Sequence, residues 1–271
     1  MVTKQDVFEL LESLGIRSEN HVTVHTSLKA IGEIDGGAEG LLDALRQYLC
    51  DGLLIVPTHT WAGIVERRYY DPVETPPCIG VLPTIAAFHP EAVRSLHPTH
   101  SVAVFGKKAK EYVACEKTYT TATPPDNCLT RLYQERGKIL LLGVGFESNT
   151  YIHAVEEQLN IPNRFSEETL NITIKADGGE MLQTDYRWHS VKGLVYGISE
   201  HYHILEKPLY HMGAVTYGKL GNAKVICCDA VKTTQAYAHL WAQMQYDFCL
   251  ENKEIPEECY LGVKPEGEAH G

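Results

Sequence analysis

Positive charge is scarce in this chain, with 24 Lys and Arg against 35 Asp and Glu and a formal net charge of −11. Affinity for a phosphate backbone comes from clustered Lys and Arg that release counterions, so nucleic acid is not an expected partner. Long apolar runs are missing as well. None approaches the roughly 20 residues that a bilayer span needs, so no membrane partner is expected. The eight cysteines, at 50, 78, 115, 128, 227, 228, 249 and 259, include no C-x-x-C pair and no regular spacing. That leaves neither a disulfide framework nor a zinc ribbon, and they read as reduced thiols, mostly buried. The chain also lacks G-x-S-x-G, Walker-A, G-x-G-x-x-G and H-E-x-x-H patterns, so serine hydrolysis, nucleotide binding and zincin chemistry lose their sequence support.

What is present points to an α/β protein. At 271 residues the chain can bury a core that needs no staples. The opening MVTKQDVFELLESLGI has apolar residues at helical spacing and an acid at position 6, which predicts an amphipathic first helix over about 4–14 rather than a signal peptide. A cytoplasmic location is the matching expectation. The β-rich run His21–His25 ends in the polar turn 26–29, Asp35-Gly36-Gly37-Ala38 looks like a helix start, and Leu53–Val56 stops at Pro57. This β-loop-α-β alternation predicts an open, largely parallel sheet with ligands at the carboxyl ends of its strands. Residues 61–80 show no period and read as a long irregular loop of the functional kind. A helix at about 80–89, a strand at 101–105 and the most apolar run of all, 138–144, follow; the last is expected to be a central strand covered on both faces. Ser148, Asn149 and Thr150 are N-cap candidates for the helix YIHAVEEQ. After Pro162 the texture changes: 169–175 and 180–186 alternate around Asp177-Gly178-Gly179, predicting a smaller antiparallel subregion after about residue 165. A strand at 225–228 and a helix at about 231–249 close the chain, and the tail from about 254 is expected to fray.

Chemistry concentrates in GVGFESNTYIHAVEE, residues 143–157. His153 falls in the first turn of a helix that follows a buried strand; Glu147 precedes it in the loop and Glu156, three residues on, shares its helical face. A helix N-terminus keeps an imidazole neutral, whereas a bonded carboxylate pulls the other way and fixes the tautomer. A His among acids at a helix start is also an ordinary structural residue, so spacing alone leaves both readings open. His97-Pro98-Thr99-His100 puts two imidazoles three apart and His201-Tyr202-His203 puts two at strand spacing, which raises a zinc site, but Pro98 makes a shared helical face awkward and no metal is expected. The loop VHTSLKAIG, residues 24–32, followed by GGA, joins hydroxyls, free amides, one Lys and a helix N-terminus at a strand end. This suits a phosphate, though the same residue types also build an ordinary capped βα loop.

Taken in order, VHTSLKAIG with GGA, LLIVPTHT, VRSLHPTHSVAVFG, ILLLGVGFESNTYIHAVEE and GAVTYGKLGNAKV resemble the aminoglycoside 3-N-acetyltransferase family over about residues 5–250. The resemblance implies a three-layer α/β/α sandwich forming one domain over 1–271, with 165–212 as its substrate-facing part. It implies transfer of acetyl from acetyl-CoA to an amine, here the 3-amino group of an aminoglycoside, by an enzyme that needs no metal and no cysteine. Its catalytic His matches His153, and its acids match Glu147 and Glu156. The HTSL loop carries over as a coenzyme A contact through Thr26, Ser27 and Leu28, with Lys29 and Gly32 beside them; Arg94, Ser95, His97 and Ser101 line the same cleft. Lys29 replaces a small polar residue, and Gly143-Val144-Gly145 or the HTSL amides are candidate oxyanion donors. A homodimer is compatible with the family. The chain departs from relatives at 61–80 and after Glu157, the regions expected to choose the amine, where acids (Glu66, Asp71, Glu74, Glu157, Glu167, Glu168, Asp185) stand among Arg67, Arg68, Arg164 and Arg187. Two other readings fit the same residues: acetylation of a different small amine, and a non-catalytic coenzyme A-binding sensor.

Overall fold

Alternating burial shows why the central run is a strand. In β6 (Lys138–Leu142), Ile139 and Leu141 join one apolar core while Leu140 and Leu142 join another on the opposite face. A strand buried on both sides has no polar face to alternate with, so its sequence reads as a continuous apolar run. The computed structural model describes residues 1–189 and 197–263, so the 190–196 part of the substrate-facing stretch and residues 264–271 lie outside the described residues. The tail expected to fray from about 254 is instead packed down over its described part, with Ile255 and Tyr260 buried around a 3-10 turn at Glu257–Cys259.

The other strands are β1 (His21–Thr26), β2 (Leu53–Pro57), β3 (Tyr69–Tyr70), β4 (Val93–Arg94), β5 (Val102–Phe105), β7 (Leu170–Lys175), β8 (Met181–Tyr186), β9 (Val215–Leu220) and β10 (Ala223–Asp229). Seven form the main sheet in the order β4-β5-β2-β1-β6-β10-β9. β2, β1 and β6 pair in parallel at its centre, and β5 and β10 run against them. Since β4 and β9 are antiparallel to β5 and β10, five of the seven strands point the same way. The largely parallel sheet is thus realised, with its antiparallel pairs at the flanks.

Helices α1 (Lys4–Ser13), α2 (Leu28–Ile31), α3 (Gly37–Tyr48) and α5 (Val81–Ala87) contribute to the core on one face. On the other lie α6 (Ala109–Val113), α7 (Cys128–Arg131), α8 (Tyr151–Gln158), α9 (Glu206–His211), α10 (Ala230–Gln243) and α11 (Phe248–Glu251), giving three layers, α/β/α. Among the described residues no helix is long and apolar enough to cross a membrane, and all eight cysteines are free.

Four further expectations need correction. Residues 61–80 are not irregular throughout: α4 (Trp61–Arg67) and β3 lie there, and β3 pairs in parallel with β7, so a tertiary partner supplies the regularity that local periodicity lacks. The helix of about 231–249 stops at Gln243, and α11 restarts where the Asp247 carboxylate accepts from the Leu250 amide. None of Ser148, Asn149 and Thr150 caps α8 by a side chain; a 3-10 turn, Phe146–Ser148, winds straight into it. His201-Tyr202-His203 sits in a 3-10 segment, Ile198–Leu205, not a strand. The small sheet, β3-β7-β8, encloses a third apolar core around Ile64, Tyr70, Ile172 and Tyr186.

Candidate active site

Three parallel strands deliver their carboxyl ends to one edge of the sheet, and there a cavity of about 550 Å³ opens. Val24–Thr26 comes from the end of β1, Pro57 from the end of β2 with His59 just beyond it, and Val144 with Glu147 from the loop after β6. The opposite wall is Tyr186, Trp188 and His189, at and beyond the end of β8. This is the crevice that the parallel topology predicts.

His153, third residue of α8, lines this cavity and is only 9% exposed. Its Nδ1 lies 2.8 Å from the Tyr202 hydroxyl, and that hydroxyl donates to Glu156 Oε2 at 2.6 Å. Glu156 is fully buried, accepts from the Tyr237 hydroxyl at 2.8 Å, and has Arg164 Nε 2.9 Å from Oε1. Arg164 in turn holds Asp247 through two nitrogens, at 2.6 and 3.0 Å. Both phenols donate to the Glu156 carboxylate, which lies against the Arg164 guanidinium. Tyr202 is kept a phenol, because burial and then the neighbouring Glu156 charge push its ionisation well up. The phenol has one proton and gives it to the carboxylate, so its oxygen must accept from His153, placing the imidazole proton on Nδ1 and leaving Nε2 as the lone-pair nitrogen. Burial first, and then the nearby His189, His59 and Arg164, hold His153 well below the usual histidine range and therefore neutral.

More imidazoles surround it. His25, His59 and His100 line the same cavity, and their rings are kept neutral chiefly by burial, His25 at about 4. His59 packs on His100 with ring centres 4.6 Å apart, and His189 meets His153 edge-on at 4.3 Å. Among the described residues, the Nε2 atoms of His25 and His59 and the Nδ1 of His189 are buried without a hydrogen-bond partner. Glu157 faces away from His153: it accepts from Thr121 Oγ1 (2.6 Å), from Thr123 through both N–H and Oγ1 (2.8 Å each), and pairs with His189 Nε2 at 2.9 Å. Burial alone would raise Glu157, but these bonds, His189 foremost, outweigh it and hold the carboxyl below its ordinary value.

The residues expected from sequence are distributed unequally. His153, Glu147 and Thr26 line the cavity, whereas Glu156 reaches it only through Tyr202. Glu147 is exposed at the mouth and accepts from the Gly145 amide at 3.1 Å. Ser27 caps α2, its Oγ accepting from the Ala30 amide, while Leu28 and Lys29 lie in that helix and Gly32 ends it at φ 95°. Gly143 has φ 71°, and a Cβ there would come within 2.7 Å of Ala30 Cβ; its lack of a side chain lets the HTSL loop and the 143–145 turn touch. Arg94, Ser95, His97 and Ser101 lie outside the cavity lining. Arg94 binds the carbonyls of Thr58, Pro72 and Thr75 and the Ser101 hydroxyl, and Ser95 Oγ accepts from the Val102 amide. His97 Nδ1 accepts from the His100 amide at 2.9 Å, so Nε2 donates to the Thr121 carbonyl at 2.7 Å. Neither His201, on the Cys249 carbonyl, nor His203, on that of Glu200, is drawn into a metal pair. Among the described residues the one grouping with metal-donor spacing is His153, Glu156 and His189, within 4.8 Å of one another, and Arg164 already occupies the charge of its carboxylate.

Sequence reading missed Tyr202, His59, His189, Trp61 and Trp188. The first stood in plain view between two histidines that drew attention for their metal-binding potential.

Comparison with known proteins was decisive on ancestry. The family model for aminoglycoside 3-N-acetyltransferase matches residues 23–242. The chain belongs to that family. Among its relatives, aminoglycoside N(3)-acetyltransferase IV of a Salmonella species is 28% identical over 186 residues, 68% of each chain. Aminoglycoside N(3)-acetyltransferase VII of Streptomyces paromomycinus is 32% identical over 182 residues, 60% of this chain and 63% of the relative, just under two thirds of its length. The solved structure of AAC-IIIb in binary complex with CoASH superimposes with a TM-score of 0.75 over 94% of this chain and 98% of that one, at 20% identity, and so supports the shared fold. As an aminoglycoside 3-N-acetyltransferase family member, the chain is an acetyl-CoA-dependent acyltransferase.

Proposed function

We propose that this protein acetylates an amine with His153 as general base, and that the family's aminoglycoside 3-amino group is the reference acceptor. The observation that carries the reading is the neutral His153 in the cavity, its Nδ1 proton committed to Tyr202 and its Nε2 lone pair left for chemistry. The amine nitrogen attacks the thioester carbonyl, Nε2 takes the proton that nitrogen sheds, the C–S bond breaks, and the same proton leaves with the coenzyme A thiolate. Glu156, through Tyr202, stabilises the imidazolium formed on the way. A thiol-release assay with acetyl-CoA over a panel of amines tests this: release that depends on an amine and on His153 supports it, and binding of coenzyme A without release from any amine would assign the chain to the sensor reading.

The relay predicts unequal acids. Tyr202→Phe should lower kcat by roughly ten-fold with little change in either KM, because a bond to the imidazolium strengthens as its charge develops. Glu147→Gln, at the exposed mouth, should stay within about two-fold of wild type. Equal and small losses in both variants would remove Tyr202 and Glu156 from the mechanism.

Acetyl-CoA is proposed to lie along the HTSL loop, from Thr26 and Ser27 to the N-terminus of α3, which no side chain caps. Phosphate contacts of this charge-assisted kind weaken as salt rises. Calorimetry should therefore show coenzyme A affinity falling with ionic strength and falling again in Ser27→Trp. Affinity indifferent to both would place the coenzyme elsewhere.

A further inference from the structure

Among the described residues, the cavity beside His153 holds one carboxylate, Glu147, and it is exposed at the mouth. The acids expected to hold a polycation are committed or remote. Asp71 is buried, ion-paired with Lys175 at 2.7 Å and bonded to the Val73 amide. Glu157 is saturated by Thr121, Thr123 and His189. Asp185 is exposed and bonds Asn171, and Glu66, Glu74, Glu167 and Glu168 are exposed and outside the lining.

What lines the cavity instead is largely aromatic: Trp61, Tyr186 and Trp188 together with the neutral imidazoles of His25, His59 and His100. With Glu147 the single carboxylate, every ammonium beyond the first brought into such a place must lose its hydration with no carboxylate to replace it, which is costly. A single basic nitrogen is different, since the same environment favours its neutral, nucleophilic form. The orphaned nitrogens of His25, His59 and His189 can hydrogen-bond neutral hydroxyls or carbonyls of a ligand. Aromatic faces at the walls suit a planar or apolar body.

We infer that the preferred acceptor is an amine with one basic nitrogen on an uncharged aromatic body, and that Trp61 and Trp188 select it; the inference rests on the acetyl-transfer reading above. The test measures thiol release from acetyl-CoA with tyramine and tryptamine against apramycin and sisomicin. The monoamines should show kcat/KM at least ten-fold above the aminoglycosides, and Trp188→Ala should raise the KM for tryptamine at least five-fold while leaving the KM for acetyl-CoA unchanged. Trp61→Ala supplies a second variant should the first fold poorly. Turnover of apramycin or sisomicin equal to or faster than the monoamines would overturn the inference and leave acetyl transfer standing. A tryptamine KM untouched by both Trp variants would overturn the selection. No thiol release with any amine would sink both.

Discussion

Replacing His153 with Ala is expected to reduce kcat by roughly 100-fold or more, the ordinary contribution of a positioned general base, with acetyl-CoA affinity nearly unchanged. The argument is one of geometry and protonation together. The ring lines the cavity at the carboxyl edge of the sheet, burial keeps it neutral, and a phenol anchored by a buried carboxylate leaves its Nε2 unprotonated. The Ala variant keeps Tyr202 bonded to Glu156, so neither buried group is orphaned and the fold should survive. Steady-state kinetics with a good acceptor, together with calorimetry for coenzyme A, provide the check. A folded variant that keeps most of its activity means the base lies elsewhere.

Lowering the pH should unfold the protein steeply between about 6.5 and 5. His25, His59, His97 and His153 are buried and His100 is partly buried, and loss of solvation depresses each of them, His25 and His97 to about 4. Above the unfolded histidine value near 6.5 both states are neutral and stability is full. Below it the unfolded chain takes up protons that the folded one refuses, so stability falls as pH falls, until the folded values are reached. Each unmatched proton is worth about 1.4 kcal/mol per pH unit. Glu116 works the other way, since burial raises it to about 7 and it binds a proton in the folded state first. A net uptake of about four protons remains, roughly 5–6 kcal/mol per pH unit at the steepest, against a total stability of only about 5–15 kcal/mol. Urea titrations at half-unit pH intervals would show it. A denaturation midpoint that is level from pH 7 to 5.5 would mean that the cluster is hydrated or already protonated.

The elements whose apolar pattern is local were legible in the sequence. β1 announces itself as a β-rich run ended by a polar turn, β2 and β6 as short apolar runs ended by proline and by a glycine turn, and the strand–helix alternation gave the sheet its direction. β4 and β3 were invisible because each is two residues long and exists only by pairing with β5 or β7. At the site, the expected His153 and Glu156 are both buried beside Tyr202, but spacing placed the acid directly against the ring. The intervening Tyr202 comes from a segment 49 residues away, and no periodicity links the two. The cavity's aromatic wall was equally hidden, since Trp188 follows a strand whose orientation depends on the β7–β8 register.

That wall has a history of its own. Its apolar core is separate from the two that flank the main sheet, and its β3 and β7 edge and Lys175–Asp71 pair join residues about a hundred positions apart, 104 for the ion pair. Closing so long a loop delays assembly, and a small core held by such contacts is also the natural place for sub-global opening. Amide exchange should therefore run faster in β7 and β8 than in β1, β2 and β6. The Tyr186–Trp188 wall of the cavity is then the last part of the molecule to form and the first to loosen, while β1 and β6, which lead into the HTSL loop and α8, stay in place.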